Sequence, residues 1–209
     1  MQSNGIIFIL SAPSGTGKTT ICKLLKQKLP DLKFSISHTT REPRDGEADG
    51  TDYYFISQKE FEEKLTRGEF LEWAKVHKQC YGTTFESADR HCQNGEDVLI
   101  ELDVQGAQSL RDINYKAVFI FMMPPSLEEL KTRLNKRGTE SASKIQDRLE
   151  TSKKEMRQSL LYDYILTNID TEETTNNLIS IITAEHSRKE RYKPSSPDFK
   201  NLMNDKVNS

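Results

Sequence analysis

Long uninterrupted runs of apolar residues are missing from this sequence. The longest, IIFIL at residues 6–10 and AVFIFMM at residues 117–123, are far shorter than the roughly 20 residues that a membrane-spanning helix needs. The opening segment MQSNG has no basic region, and the apolar run behind it is too short for a signal peptide. We therefore expect a cytoplasmic protein that does not contact a membrane.

Cysteine and histidine are scarce and form no disulfide or metal-binding pattern. The three cysteines are odd in number and show neither CxxC nor Cys/His ligand spacing: Cys22, Cys80 and Cys92. The four histidines form no pair at helical spacing: His38, His77, His91 and His186. We expect reduced thiols and no Cys/His metal centre.

An excess of positive charge is also missing. The 30 basic and 32 acidic side chains give a formal net charge of -2 at pH 7. Because binding along a nucleic-acid backbone needs a dense basic face, we expect no nucleic-acid partner, and any basic site must be local. A chain of 209 residues, 34% of them hydrophobic and 30% charged, is expected to form one main domain with a very polar surface.

What the sequence does contain is an alternation of short apolar runs with helical patterns. Four runs predict strands: residues 6–10, 97–102, 117–122 and 164–166. Apolar residues recur at helical spacing in three places: Ile21, Leu24, Leu25 and Leu29; Leu127, Leu130 and Leu134; Leu178, Ile181 and Ile182. Two capping boxes mark helix starts: Ser57 with Glu60, and Ser126 with Glu129. This alternation is typical of an α/β fold in which helices cover a parallel sheet.

Two polar segments interrupt the alternation. Residues 34–94 mix short β-like runs with turns and predict a small mixed α+β insertion. Residues 135–150 contain few large apolar side chains and predict a mobile helical lid. The core domain then consists of residues 1–33, 95–134 and 151–187. Residues 188–209 form a polar tail that we expect to fray.

The segment SAPSGTGKTT, residues 11–20, follows the first predicted strand and precedes the first predicted helix. Gly15 and Gly17 allow backbone N–H groups to turn towards a phosphate, Lys18 can reach the terminal phosphates, and the Thr19 hydroxyl can bind Mg²⁺. Ala12 replaces the first glycine of this phosphate-loop pattern. The alternative is a glycine-rich turn with a solvated lysine. We predict an ATP site with these residues: Ala12, Pro13, Ser14, Gly15, Thr16, Gly17, Lys18, Thr19 and Thr20.

The segment TTREPRDGEADGTDYYF, residues 39–55, predicts a second anion site. Arg41 and Arg44 can fork onto one phosphate, and Tyr53 and Tyr81 can add phenolic donors. A solvated arginine pair and a core tyrosine are the alternative. A nucleotide switch or motor would pass the phosphoryl group to water. A kinase needs such a second pocket for an acceptor, which favours a kinase with a P-loop NTPase-type sheet.

The chain resembles the guanylate kinase family, whose members phosphorylate GMP with ATP and Mg²⁺ and so serve purine nucleotide metabolism. The family signature T-[ST]-R-x-x-[KR]-x-x-[DE]-x-x-G-x-x-Y-x-[FY] is met at Thr39, Thr40, Arg41, Arg44, Glu47, Gly50, Tyr53 and Phe55. The resemblance continues through FLEWAKVHKQCYGTT (70–84), IELDVQGAQ (100–108) and RLNKRGTE (133–140), and covers residues 6–186. It implies that the insertion binds GMP.

Position by position, the resemblance implies the following roles. The GMP phosphate is bound by Arg41, Arg44, Tyr53 and Tyr81. The guanine is bound by Ser37, Glu72 and Thr83, and the family often has Ser at the position of Thr83. Asp103 contacts the acceptor or a water on the metal, the two options being left open, and Thr19 holds Mg²⁺. Lid arginines Arg137 and Arg148 contact phosphate, with Arg133 a third candidate; Arg137 and Asn168 also contact adenine. The implied catalytic set is Lys18, Arg41, Asp103, Arg137 and Arg148.

Physical chemistry supports Glu72 as the reader of guanine. Guanine presents N1–H and the N2 amino group side by side to one carboxylate, whereas adenine would leave that carboxylate unpaired. No general base is expected, because a nucleotide phosphate has a second pKa of about 6 and is largely ionised at neutral pH. We expect the pocket and lid to close when both nucleotides are bound.

Two other functions are compatible with parts of the pattern. One is a non-catalytic guanylate-kinase-like domain that binds proteins, which the intact Gly17, Lys18 and Thr19 disfavour. The other is a kinase for a different nucleoside monophosphate, which Ser37 and Glu72 disfavour. The sequence makes no prediction about the oligomeric state or about dGMP as an acceptor beside GMP.

Overall fold

The computed structural model describes residues 5–76, 78–136, 142–192 and 196. Within these residues the strands are β1 (Ile7–Ser11), β2 (Lys33–Phe34), β3 (His38–Thr39), β4 (Tyr54–Phe55), β5 (Phe70–Val76), β6 (Gln79–Thr84), β7 (Val98–Glu101), β8 (Val118–Met123) and β9 (Tyr164–Thr167). The helices are α1 (Lys18–Lys28), α2 (Gln58–Thr66), α3 (Phe85–Gln93), α4 (Val104–Asp112), α5 (Leu127–Lys136), α6 (Ala142–Arg157) and α7 (Thr171–His186). Short 3₁₀ turns occupy Gln158–Leu161 and Lys189–Arg191.

The larger sheet is parallel throughout and has the strand order β2-β7-β1-β8-β9. One face packs on α1 and α7, and the other on α3 and α4, so the central strands are buried on both sides. Phe8, Ile9 and Leu10 in β1 are fully buried. Burial on both faces explains why these strands are continuous apolar runs. The predicted α/β fold is confirmed.

Residues between β2 and β7 form a second, mixed sheet with the order β4-β3-β6-β5. Helix α2 begins with the predicted capping box of Ser57 and Glu60, and its Phe61 stacks on Phe70 of β5. Helix α3 contacts β6 of this sheet and β7 of the larger one. The second sheet is therefore joined to the core by both the β2–β3 connection and α3.

Helices α5 and α6 pack against each other through Leu130, Leu134 and Leu149. The Ser126 hydroxyl accepts the Glu129 N–H, as the second predicted capping box requires, while the Glu129 carboxylate contacts Arg133. Leu127, the first residue of the predicted helical pattern, is 43% exposed. It is the first residue of α5, outside the turns that face α6.

Helix α7 carries the core residues Leu178 and Ile182, in agreement with the predicted stripe. Near its end, the fully buried Glu185 accepts hydrogen bonds from Tyr164 and Arg191 at 2.6 Å each and lies 3.2 Å from Arg188. These contacts join Arg188 and Arg191 to α7. Residues 193–195 and 197–209 of the predicted tail lie outside the described residues. None of the described helices is long and apolar enough to cross a membrane.

Candidate active site

The predicted phosphate loop lies between the carboxyl end of β1 and the start of α1. Gly15 and Gly17 have positive φ angles of 89° and 101°, which side-chain-bearing residues rarely adopt. Gly17 is the N-cap of α1, and the first turn of α1 contains no acidic residue. The free N–H groups and the positive end of the helix dipole therefore favour an anion here.

Lys18 is held at the ends of two neighbouring parallel strands. Its Nζ donates to the Leu102 carbonyl at 3.3 Å and lies 3.9 Å from a Glu101 carboxylate oxygen. Because β1 and β7 are adjacent and parallel, their carboxyl ends deliver the lysine and the acid to the same place. The ammonium group is thus positioned beside the loop that it is predicted to serve.

The Thr16 carbonyl joins three distant parts of the chain. It accepts hydrogen bonds from the buried Asn168 Nδ2 at 2.7 Å and from Arg133 Nη1 at 3.1 Å. Asn168 follows β9 and Arg133 belongs to α5. A Cβ atom on Gly17 would lie 2.7 Å from Asn168 Nδ2, so Gly17 is needed for the close approach as well as for its φ angle. Asn168 and Arg133 therefore lie at the loop and support its backbone, while the adenine and phosphate contacts implied for them stay predictions.

The lid arginine Arg148, on α6, donates a hydrogen bond to the Ser14 hydroxyl in the phosphate loop. This contact places its charge at the entrance of the loop. Arg137, the other arginine assigned to the lid, lies outside the described residues. The predicted lid comprises residues 135–150, of which the structure describes residues 135–136 and 142–150.

Arg41 sits in a cluster of aromatic and acidic side chains in the second sheet. Its Nη2 donates to both carboxylate oxygens of Glu47 at 2.9 Å, and its guanidinium lies 5.5 Å from the centre of the Tyr53 ring. Tyr53 in turn packs edge-on against Tyr81, with 6.0 Å between ring centres. Three of the four residues predicted to bind the acceptor phosphate are therefore brought together.

The fourth, Arg44, has an exposed side chain but is tied to the same acid through its backbone. Its N–H donates to Glu47 at 2.8 Å. This N–H, followed by the Arg41 guanidinium, holds the pKa of the Glu47 carboxyl below its ordinary value. Glu47 was recognised only as part of the signature; the structure shows that it orients both arginine segments.

A β-bulge determines the orientation of the Glu72 side chain. The register of β5 against β6 shifts between Phe70 and Glu72, so Leu71 turns into the core of the larger sheet while Glu72 faces Thr83. The Thr83 N–H donates to Glu72 Oε1 at 3.1 Å, and the Thr83 hydroxyl is 3.0 Å from that of Ser37. The three predicted guanine-binding residues therefore form one connected group.

The environment of Glu72 is poorly solvated and negatively charged. Burial, with a smaller contribution from Asp103, raises the pKa of the Glu72 carboxyl to about 7. Asp103 is the N-cap of α4 and accepts the Gly106 N–H at 2.7 Å. The acid at the end of β7 thus has a structural role as a cap while its exposed carboxylate faces the site.

Sequence reasoning missed Glu155 on α6. Burial, and then the charge of Asp103, raise the pKa of Glu155 to about 7, while Lys18 acts in the opposite direction. Its position seven residues after Arg148 puts both on one face of α6, and this spacing was the signal that could have found it. Within the described residues, no group of three or more His, Cys, Asp or Glu is arranged to hold a metal ion.

Comparisons with known proteins agree on one family. A family model described as guanylate kinase matches residues 5–185. The chain is 44% identical over 188 residues to a guanylate kinase of Geobacter metallireducens, covering 90% of this chain and 93% of that protein. It is 43% identical over 193 residues to a guanylate kinase of Caldanaerobacter subterraneus subsp. tengcongensis, covering 92% and 94%. The crystal structure of guanylate kinase from Anaplasma phagocytophilum matches with a TM-score of 0.74 and 31% identity, covering 97% and 95%.

Proposed function

This chain belongs to the guanylate kinase family, and from that premise we propose which of its residues bind and activate each substrate. It is an enzyme, an ATP:GMP phosphotransferase, which transfers the γ-phosphate of ATP to GMP and gives ADP and GDP. One observation carries the assignment of residues. Glu72, from the second sheet, lies within electrostatic reach of Lys18 in the phosphate loop and of Asp103 in the core.

The ATP phosphates are assigned to the loop around Lys18. The positive φ angles of Gly15 and Gly17 and the acid-free start of α1 support this assignment. Lys18 neutralises the terminal phosphates, and Arg148 approaches from the lid beside Ser14. Asn168 and Arg133 fix the loop through the Thr16 carbonyl, and the same end of β9 is assigned to the adenine.

The phosphate of GMP is assigned to Arg41, Arg44, Tyr53 and Tyr81. The clustering of Arg41 with the two tyrosine rings supports this, because guanidinium and phenol groups together offer several donors to phosphate oxygens. Glu47 holds Arg41 in position through two hydrogen bonds. A phosphate that binds here meets an arginine that has already lost much of its side-chain freedom.

The guanine is assigned to Glu72, Ser37 and Thr83. Glu72 keeps one carboxylate oxygen on the Thr83 N–H and can offer its acceptors to N1–H and the N2 amino group of guanine. Adenine has no donor pair in these positions, so it would leave a poorly solvated carboxylate unpaired. Selectivity for the base thus follows from the cost of burying that charge alone.

Magnesium is assigned to Thr19, with Asp103 acting through a water. Both side chains are exposed, Thr19 in the phosphate loop and Asp103 at the start of α4, and both offer oxygen atoms, which Mg²⁺ prefers. Mg²⁺ usually takes only one or two protein ligands and otherwise binds phosphates and water, which fits a site with few acids. When bound, it would neutralise charge on the ATP phosphates.

The residues of this chain then act by alignment and charge neutralisation. The acceptor phosphate, with a second pKa of about 6, is largely ionised at neutral pH and needs no general base. Lys18, Arg41 and Arg148 bring positive charge to the transferring group from three directions. Arg137 is assigned the same role from the part of the lid outside the described residues. Closure of the lid and second sheet would exclude water from the two nucleotides.

No assigned residue addresses the ribose 2′-hydroxyl of the acceptor, so we include dGMP among its acceptors. We also place the enzyme in the cytoplasm, where both nucleotide substrates are available. The intact phosphate loop supports catalysis over a purely protein-binding role for this fold.

A coupled assay of ADP formation tests these assignments. GMP, dGMP, AMP, UMP and CMP are supplied in turn with ATP and Mg²⁺ to the parent protein, to Glu72→Gln and to Glu62→Gln, an exposed acid on α2 that serves as a matched control. We expect turnover with the guanine nucleotides, a large loss in Glu72→Gln and no change in the control. Turnover of AMP or UMP by the parent, or full activity of Glu72→Gln, would contradict the assigned base site.

A further inference from the structure

Gly106 occupies the third position of α4 and is buried against Glu72. A Cβ atom built on it would lie 2.8 Å from Glu72 Oε2 and 3.2 Å from Glu72 Cδ. The next nearest atom is Asp103 Oδ1, at 3.4 Å. Because Gly106 has no side chain, the Glu72 carboxylate can occupy the space next to it that a Cβ atom would fill.

Glu72 cannot withdraw from this space without losing its other contact. Its Oε1 accepts the Thr83 N–H, so the carboxylate is confined between the backbone of β6 and the first turn of α4. Helix α4 is itself fixed, because Val104, Ala107 and Leu110 are buried in the core of the larger sheet. Both walls that confine the carboxylate belong to rigid elements.

We propose that Gly106 is a positioning residue for guanine selection: its lack of a side chain allows Glu72 to lie at the amino end of α4, where its carboxylate faces the base. This inference rests on the proposed role of Glu72. It goes further because it assigns part of the base selectivity to a residue of the core domain that does not itself contact guanine.

An alanine at position 106 is compatible with the fold. Gly106 is not among the glycines with positive φ, and it lies in a helix, where alanine has the higher propensity. The atoms within 3.4 Å of the added methyl group are the ends of the Glu72 and Asp103 side chains, which can move, and no backbone atom is among them. The substitution therefore displaces the Glu72 carboxylate while leaving the helix in place.

The test compares Gly106→Ala with the parent and with Gln105→Ala, an exposed position in the same turn. Calorimetric Kd values for GMP and for ATP and the Tm are measured for each. For Gly106→Ala we expect the Kd for GMP to rise about tenfold or more, as for a displaced charged hydrogen bond. We expect the Kd for ATP to stay within about twofold and the Tm to be equal or higher. Gln105→Ala should match the parent in all three.

A second pair of variants tests whether Gly106 acts through Glu72. Glu72→Asp shortens the acid by one methylene and makes room for the methyl group, so adding Gly106→Ala to it should change the Kd for GMP by less than about threefold. Equal effects of Gly106→Ala in both backgrounds would overturn the coupling. A fall in Tm together with weaker ATP binding would also overturn it, because it would indicate a general structural role.

Glu72→Gln separates this inference from the role on which it rests. Impaired GMP binding in Glu72→Gln with normal binding in Gly106→Ala would refute the positioning role and leave the assigned base site intact. Normal GMP binding in Glu72→Gln would overturn both.

Discussion

Replacing Glu72 with glutamine is expected to stabilise the nucleotide-free protein at pH 8, although it removes the residue assigned to guanine. Burial raises the pKa of the Glu72 carboxyl from 4.5 to about 7 in the fold, so folding favours the protonated acid. Its contribution to stability is therefore fully present below pH 4.5 and is lost as the pH rises through 7. This rise in pKa corresponds to at most about 3 kcal/mol of the free energy of unfolding at pH 8.

Glutamine keeps an oxygen that can accept the Thr83 N–H but carries no charge to desolvate. Thermal unfolding of the parent, Glu72→Gln and the control Glu62→Gln at pH 5 and pH 8, without nucleotides, measures the effect. At about 2–4 °C per kcal/mol for a chain of this size, the Tm of Glu72→Gln should exceed that of the parent by several degrees at pH 8, and the difference should shrink at pH 5. A lower Tm at both pH values, or an equal rise in the control, would refute the reasoning.

Three further outcomes follow from the geometry. The Kd for GMP should rise about tenfold between pH 8 and pH 6, because the carboxyl of Glu72, with its pKa of about 7, becomes protonated. Calorimetry on Glu72→Gln measures the part of this rise that comes from protonation of the GMP phosphate. An equal rise in Glu72→Gln would exclude Glu72 as the cause. Asn168→Ala removes the 2.7 Å hydrogen bond to the Thr16 carbonyl, so the KM for ATP should rise severalfold. Urea unfolding should show that the free energy of unfolding falls by about 1 kcal/mol. An unchanged KM would contradict the role of Asn168 at the loop. Glu185→Ala removes the fully buried acceptor of the Arg191 and Tyr164 hydrogen bonds, and urea unfolding should show that the free energy of unfolding falls by about 1–2 kcal/mol, with normal kcat at 25 °C. An unchanged midpoint would mean that these contacts contribute nothing to stability.

Strands β1, β7 and β8 of the larger sheet were predictable because they are buried on both faces. Burial of that kind leaves a continuous apolar run in the sequence, as in residues 6–10 and 117–122. Strands β2, β3 and β4 have two residues each, which is too short for any periodic pattern. Strands β3 and β4 were predicted only as part of the interrupting segment, residues 34–94, and β2 was not predicted. The burial of Glu185 could not be predicted either, because it depends on Arg191 and Tyr164, which lie in other elements.

In the site, residue types at fixed spacing were predictable and their mutual contacts were not. Lys18 follows from the loop pattern, Arg41 from the arginine pair of residues 39–55, and Glu72 from the family resemblance. The pairing of Arg41 with Glu47, and the fit of Glu72 against Gly106, depend on how the two sheets and α4 are brought together. Nothing local distinguishes Gly106 from an ordinary helical glycine. The role of Gly106 can be recognised only from the structure, in which Glu72 of β5 packs against it.

The connection between β2 in the larger sheet and β3 in the second sheet spans only residues 35–37. Ser37, assigned to the base, is the last residue of this connection, whereas Arg41 and Arg44 lie beyond the far end of β3. Rotation of the second sheet about the connection displaces each atom in proportion to its distance from the axis. In the closure that we propose on binding of both nucleotides, a rotation about this connection would move the base bound at Ser37 little and would carry the phosphate end of GMP, at Arg41 and Arg44, through a longer arc.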